Sequence, residues 1–124
     1  LFVDIFFKFS FSAASIPTCQ GGFITKPRNV AAVRGSTVTL ICRGESSDAV
    51  LFWQKSSPAL PKSFVNVALN QEVYLYPERY KLNFDYTTFT STLTINNVQQ
   101  VDSGTFVCNL LINSLKSYAQ LVVL

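Results

Sequence analysis

The chain contains no histidine and no methionine among its 124 residues, with one tryptophan, three cysteines, five glycines and five prolines. Without histidine there is no Ser-His-Asp or Cys-His nucleophile pair, and no imidazole to hold a metal. No glycine-rich phosphate loop or dinucleotide fingerprint occurs. The seven carboxylates, Asp4, Glu45, Asp48, Glu72, Glu78, Asp85 and Asp102, are spread over different predicted loops and strands. Only Glu78 and Asp85 are placed to approach one another, and solvated surface is the expectation for both. The sequence thus offers no catalytic residue and no metal site, requires no cofactor and presents no small-molecule substrate site. An enzyme is not expected.

Concentrated charge is also missing. The formal net charge is +3, and the basic residues Lys26, Arg28, Arg34, Arg43, Lys55, Lys62, Arg79, Lys81 and Lys116 stand singly. Nucleic-acid binding needs a clustered stripe, so these read as solvated side chains. No apolar run approaches the ~18 residues of a membrane span. No Asn-x-Ser/Thr sequon is present, so sugar shields no face by that route.

Residues 1–21 read as a leader remnant or an unstructured extension. Leu1 to Ser15 is rich in phenylalanine and ends in Ser12-Ala13-Ala14, as the end of a secretory signal does, although Asp4 and Lys8 interrupt it. With no methionine anywhere, the natural N-terminus is expected to lie elsewhere. Cys19 either leaves with the leader or remains as a free or linking thiol.

What is present is a pattern of short alternating runs between turn residues, the mark of an all-β sandwich. Strands are expected at 30–33, 37–42, 50–55, 64–68, 72–75, 80–86, 90–95, 104–112 and 118–124. Val38, Leu40 and Cys42 share one face, as do Leu51 and Trp53. Gly35 marks a turn, Ser56-Ser57-Pro58 and Pro61 are expected to end the tryptophan strand, 96–101 is a connection plugged by Val98, and 113–117 is a loop. The most informative constellation is Cys42, then Trp53 about a dozen residues on, then Asp102-Ser103-Gly104-Thr105-Phe106-Val107-Cys108.

On these residues, 22–124 resembles the immunoglobulin superfamily. The room between Trp53 and Arg79 for two extra short strands favours a variable-type β-sandwich. The resemblance implies an inter-sheet disulfide between Cys42 and Cys108 packed on Trp53, worth about 4 kcal/mol in the chain-entropy model. It implies a secreted or cell-surface location, where such bridges persist. It also implies an ion pair between Arg79 and Asp102 at the base of the sandwich. Phe106 departs from the family, which has a tyrosine there whose hydroxyl bonds backbone; the loss is expected to cost about 1 kcal/mol.

In such a domain one sheet holds the tryptophan strand, its two short neighbours and the last two strands. Alternation turns Phe52, Gln54, Val107, Asn109, Leu111, Tyr118, Gln120 and Val122 outward, with Ala119, Leu121 and Val123 inward. For the neighbouring strand either Phe64, Asn66 and Ala68 or Val65 and Val67 face out. An apolar centre with a polar rim marks a protein–protein surface, so Phe52, Gln54, Asn109, Leu111, Tyr118 and Gln120 are the expected partner contacts.

The segments Val50-Leu51-Phe52, Glu78-Arg79-Tyr80, Leu93-Thr94-Ile95-Asn96-Asn97-Val98 and Cys108-Asn109-Leu110-Leu111-Ile112 resemble the first domain of lachesin- and amalgam-type invertebrate neural adhesion proteins. The last strand lacks the Phe-Gly-x-Gly bulge of antigen receptors, and loop 113–117 is short. The resemblance implies a cell-adhesion module that binds an immunoglobulin-domain protein, homophilically or heterophilically, over about 1,200–2,000 Å². Ending where a first domain ends, the chain reads as a fragment, touching a membrane only through an anchor outside it. The alternatives are an immune-type receptor or defence protein that binds through loops 44–48 and 113–117, and a spacer module.

Overall fold

A computed structural model of the chain describes residues 22–45, 50–111 and 114–124. The leader and Cys19 lie outside them. Among the described residues ten strands build two facing sheets: β1 (Phe23–Thr25), β2 (Val30–Ala32), β3 (Val38–Gly44), β4 (Leu51–Ser57), β5 (Leu60–Leu69), β6 (Glu72–Val73), β7 (Tyr80–Asp85), β8 (Thr90–Ile95), β9 (Gly104–Leu110) and β10 (Leu115–Val123). The four-stranded sheet runs β1-β3-β8-β7, and the six-stranded sheet runs β2-β10-β9-β4-β5-β6. The all-β, variable-type sandwich is therefore observed.

Period-two alternation decides what each strand buries. In β3, Val38, Leu40 and Cys42 turn inward; opposite them in register on β8 lie Ile95, Leu93 and Ser91. On β4, Leu51 and Trp53 join the same core, with Leu110 and Cys108 beside them on β9. Cys42 and Cys108 bridge the sheets with Cα atoms 6.5 Å apart. The buried indole of Trp53 donates Nε1–H to Ser91 Oγ at 2.9 Å, so its polar edge is satisfied. Val98 is fully buried, as the plug reading requires.

Several expectations need correction. The strand at 30–33 is β2, but an unforeseen β1 precedes it and pairs with β3 in the other sheet. The chain changes sheets at Pro27, which has no N–H to give to either ladder. β2 then pairs in parallel with β10. The tryptophan strand does not end at Ser56. β4 runs through Ser57 and turns at Pro58-Ala59 into a ten-residue β5. Pro58 sits in the turn, where its missing N–H costs nothing, and Ser57 Oγ accepts from the Leu60 N–H at 3.2 Å. Pro61 is tolerated because β6 covers only Ala68 and Leu69, leaving that stretch of β5 at the sheet edge.

Loop 113–117 is mostly strand: β10 begins at Leu115, opposite Leu110, with Ser114 in the left-handed region at φ 59°. The small buried Ser117 breaks the apolar alternation that would have revealed it. Lys55 is not solvated. It is 5% exposed, on the inward parity of Leu51 and Trp53. On β5, an irregularity between the Trp53–Ala68 and Gln54–Asn66 pairs explains why parity was open. Val67 and Ala68 are both buried, while Phe64, Asn66 and Leu69 belong to the outer face.

Candidate functional site

Two polar assemblies stand out, one structural and one on a surface. The first is at the base of the sandwich, around the fully buried Asp102. A single helical turn, Gln100–Asp102, brings that carboxylate back over its own start, where it accepts the Gln99 N–H at 2.7 Å. Arg79, just before β7, grips both oxygens, with Nη2–Oδ1 at 2.9 Å. The paired arginine expected from the resemblance is thus in place.

Tyr80 adds a third donor, its hydroxyl 2.7 Å from Oδ1, and its ring packs 6.4 Å from that of Phe106. A tyrosine hydroxyl therefore does reach this corner, from β7 instead of position 106. Burial alone would push the Asp102 carboxyl up; the bonds from Arg79, Tyr80 and the Gln99 N–H outweigh it and hold the group below its ordinary range. Burial and the bond to Asp102 push the Tyr80 phenol far up.

Lys55 reaches the same region from β4, donating to the Ser103 carbonyl at 3.0 Å with its ammonium 5.7 Å from the Phe106 ring centre. Burial pulls its pKa down, and the Asp102 charge only partly restores it. Gly104 explains why the two strands can close here. Its φ is +147°, and a Cβ would sit 2.0 Å from the Ser56 carbonyl oxygen. These groups pair with one another inside the fold.

The second assembly is the outer face of the six-stranded sheet. Register sets its side chains in rows across the strands. One row is Leu69–Phe52–Asn109–Lys116, and the next is Asn66–Gln54–Val107–Tyr118. Lys116 Nζ donates to Asn109 Oδ1 at 2.6 Å, Asn109 Nδ2 donates to Gln54 Oε1 at 3.3 Å, and Gln54 Nε2 donates to Asn66 Oδ1 at 3.1 Å. A lysine has no acceptor, so it fixes the sense of the whole chain of amides.

Above this polar ladder lies an open groove of about 400 Å³ lined by Phe52, Asn66, Ala68, Leu69, Tyr74 and Leu111. On its other side, Phe64 and Tyr118 meet edge to face with centroids 6.3 Å apart. The face therefore has two apolar patches divided by amides, where a single apolar centre was expected.

Of the residues read from sequence as partner contacts, Leu111, Tyr118 and Gln120 are exposed, and Phe52 and Gln54 are half-buried. Asn109 is 1% exposed, covered by the ladder it belongs to. Val107 is likewise on the outer parity yet buried. Gln120 Nε2 bonds Thr105 Oγ1 at 2.8 Å. Missing from the sequence reading were Leu69, Tyr74, Lys116 and Glu72, whose carboxylate accepts the Tyr74 hydroxyl at 3.1 Å. Alternation through 72–74 could have found Tyr74. Lys116 was hidden by its assignment to a loop. In the loop alternative, residues 46–49 and 112–113 lie outside the described residues.

A family model for the immunoglobulin V-set domain matches residues 25–124. Among solved structures, the chain is similar to one described as Dpr2 Ig1-Ig2 in complex with DIP-Theta Ig1-Ig3. The identity is 21%, the TM-score 0.72, and the match covers 86% of this chain and 48% of that one. The chain thus spans about half the length of that relative, and at this identity the likeness speaks for the fold.

Proposed function

Because the chain belongs to the immunoglobulin V-set family, we propose that it is an extracellular recognition module that binds another immunoglobulin-domain protein through the outer face of its six-stranded sheet. The observation that carries this is the groove of Phe52, Leu69, Tyr74 and Leu111, an apolar recess on a face rimmed by Gln54, Asn66 and Lys116. Such a recess suits an aromatic or aliphatic anchor from a partner. The similar solved structure is a complex between two proteins with immunoglobulin domains, which supports a partner of this kind.

Neural adhesion of the lachesin and amalgam type is the finer reading, carried by the segments around Phe52, Arg79 and Cys108. Membrane attachment would then come from elsewhere in a longer protein. The absence of histidine fits a module that binds without chemistry.

The test is a binding screen of the oxidised chain, presented multivalently, against purified immunoglobulin-domain ectodomains. Phe52→Asp and Leu111→Asp should each abolish the recovered interaction, because a carboxylate in the groove would be desolvated without a partner. Binding that survives both substitutions, and is lost instead on charge reversal at Glu45 and introduction of a charge at Ser114, would move the site to the loops.

A further inference from the structure

Residues 60–66 of β5 are extended strand with one neighbour in place of two. β4 lies along one side. On the other, β6 pairs only with Ala68 and Leu69, and the Tyr74 and Leu75 amides close on the Val67 carbonyl. An edge strand turns alternate N–H and C=O groups away from its partner. Over 60–66 that leaves about 23 Å of edge, at the usual rise of a strand, unpaired among the described residues. Only Pro61 contributes no donor.

The apolar side chains of this stretch are uncovered as well. Opposite residues share a face; Val65 opposes the inward Lys55, and Leu60 opposes Ser57. Both nevertheless stand more than half exposed, as does Val101. With Leu75 and Tyr76 they line a cleft of about 180 Å³ that runs along β5. No carboxylate lines it among the described residues. Lys62 falls on the other side of the strand with Phe64, whose ring meets Tyr118 on the outer face. It is exposed, and no ion pair holds it among the described residues.

The geometry points to an extended peptide segment of another protein as the ligand of this edge. It adds to the sheet as a strand beside β5, with apolar side chains in the cleft at alternate positions and carboxylates between them facing Lys62. Unpaired main-chain groups at strand spacing recognise extended backbone, and a flanking recess selects every second side chain. The exposed ammonium of Lys62 selects acid at the intervening positions. A second copy of β5 does not fit. Pairing the edge with itself about its middle sets the two Lys62 side chains close together on one face, and a lysine there is how edges are kept from self-association. The inference stands apart from the outer-face reading, because its site is the side of the sheet and the inward-facing cleft.

The probe is a capped hexapeptide of alternating valine and glutamate, titrated into the oxidised, isotopically labelled chain and followed by NMR. Amide shifts at 60–66 and slowed hydrogen exchange along that edge are expected. Methylating the peptide nitrogens of whichever residue type faces β5 should abolish binding, with side chains and charge unchanged. Lys62→Glu should weaken the complex about fivefold and make a valine–lysine peptide the better ligand. Val65→Asp should abolish binding, and Leu111→Asp on the outer face should leave it as in the wild type. Circular dichroism with thermal melting verifies that each variant folds. No shift at millimolar peptide overturns the inference, as do shifts centred on the Phe52 groove. Equal binding of the parent peptide and of both methylated forms, at valine or at glutamate, overturns it too. Each of these failures leaves the outer-face reading to its own test.

Discussion

Asp102 gathers donors from three parts of the chain: Arg79 before β7, Tyr80 within it, and the Gln99 amide that opens its own turn. Arg79→Ala would leave a buried carboxylate with only the last two. A cost of about 3 kcal/mol is expected, since removing one partner of a buried pair strands the other charge; equilibrium urea unfolding at neutral pH measures it. The same network sets an acid limit. The folded Asp102 carboxyl titrates below its ordinary value of 3.8. Its contribution is full above that pH and is lost as pH falls through the lower folded value. Arg79→Ala should therefore move the acid-unfolding midpoint to higher pH. Arg79 and Asp102 were legible because a known pattern pairs them. Lys55 was not, because lysine is ordinarily exposed. In the structure Lys55 takes the inward parity of Leu51 and Trp53, and its long stem carries the ammonium out to the Ser103 carbonyl.

Most strands were legible as elements because β3, β8 and β10 alternate apolar and polar residues where one sheet face is buried. Boundaries failed where a polar or breaking residue sits inside a strand or on an unpaired strand edge. Ser56, Ser57 and Pro61 read as a break, yet the β4–β5 turn occupies only Pro58 and Ala59. β1 has three residues and gains its place by pairing with β3, a long-range contact that no local pattern announces. The β4–β9 pairing depends on Gly104. Gly104→Ala would put a methyl 2.0 Å from the Ser56 carbonyl oxygen at φ +147°. Strain and clash together are expected to cost about 3 kcal/mol or more. A melting temperature lowered by many degrees with the disulfide intact is the expected readout.

At the scale of the whole molecule, the inner surfaces of the two sheets make the core and the outer surface of the larger one makes the candidate interface. Leu111 belongs only to the latter and is 57% exposed. Leu111→Asp should leave stability within about 0.5 kcal/mol of wild type, as thermal melting would show, so lost binding in that variant reports on the surface. The outer face was legible from alternation on β4, β9 and β10. Its division into two patches was not, because the joining of Lys116, Asn109, Gln54 and Asn66 depends on register between strands distant in sequence.

The parallel pairing of β2 with β10 has a mechanical meaning. Val30 lies beside Leu121, Ala32 beside Val123, and the Leu124 N–H closes on the Ala32 carbonyl at 2.8 Å. Tension that draws residue 30 and residue 124 apart pulls two co-directional strands past each other. It loads their bonds together, in shear, whereas an antiparallel pair pulled from its adjacent ends would unzip one bond at a time. The sandwich is thus clamped across the very strands through which a stretched chain would transmit force.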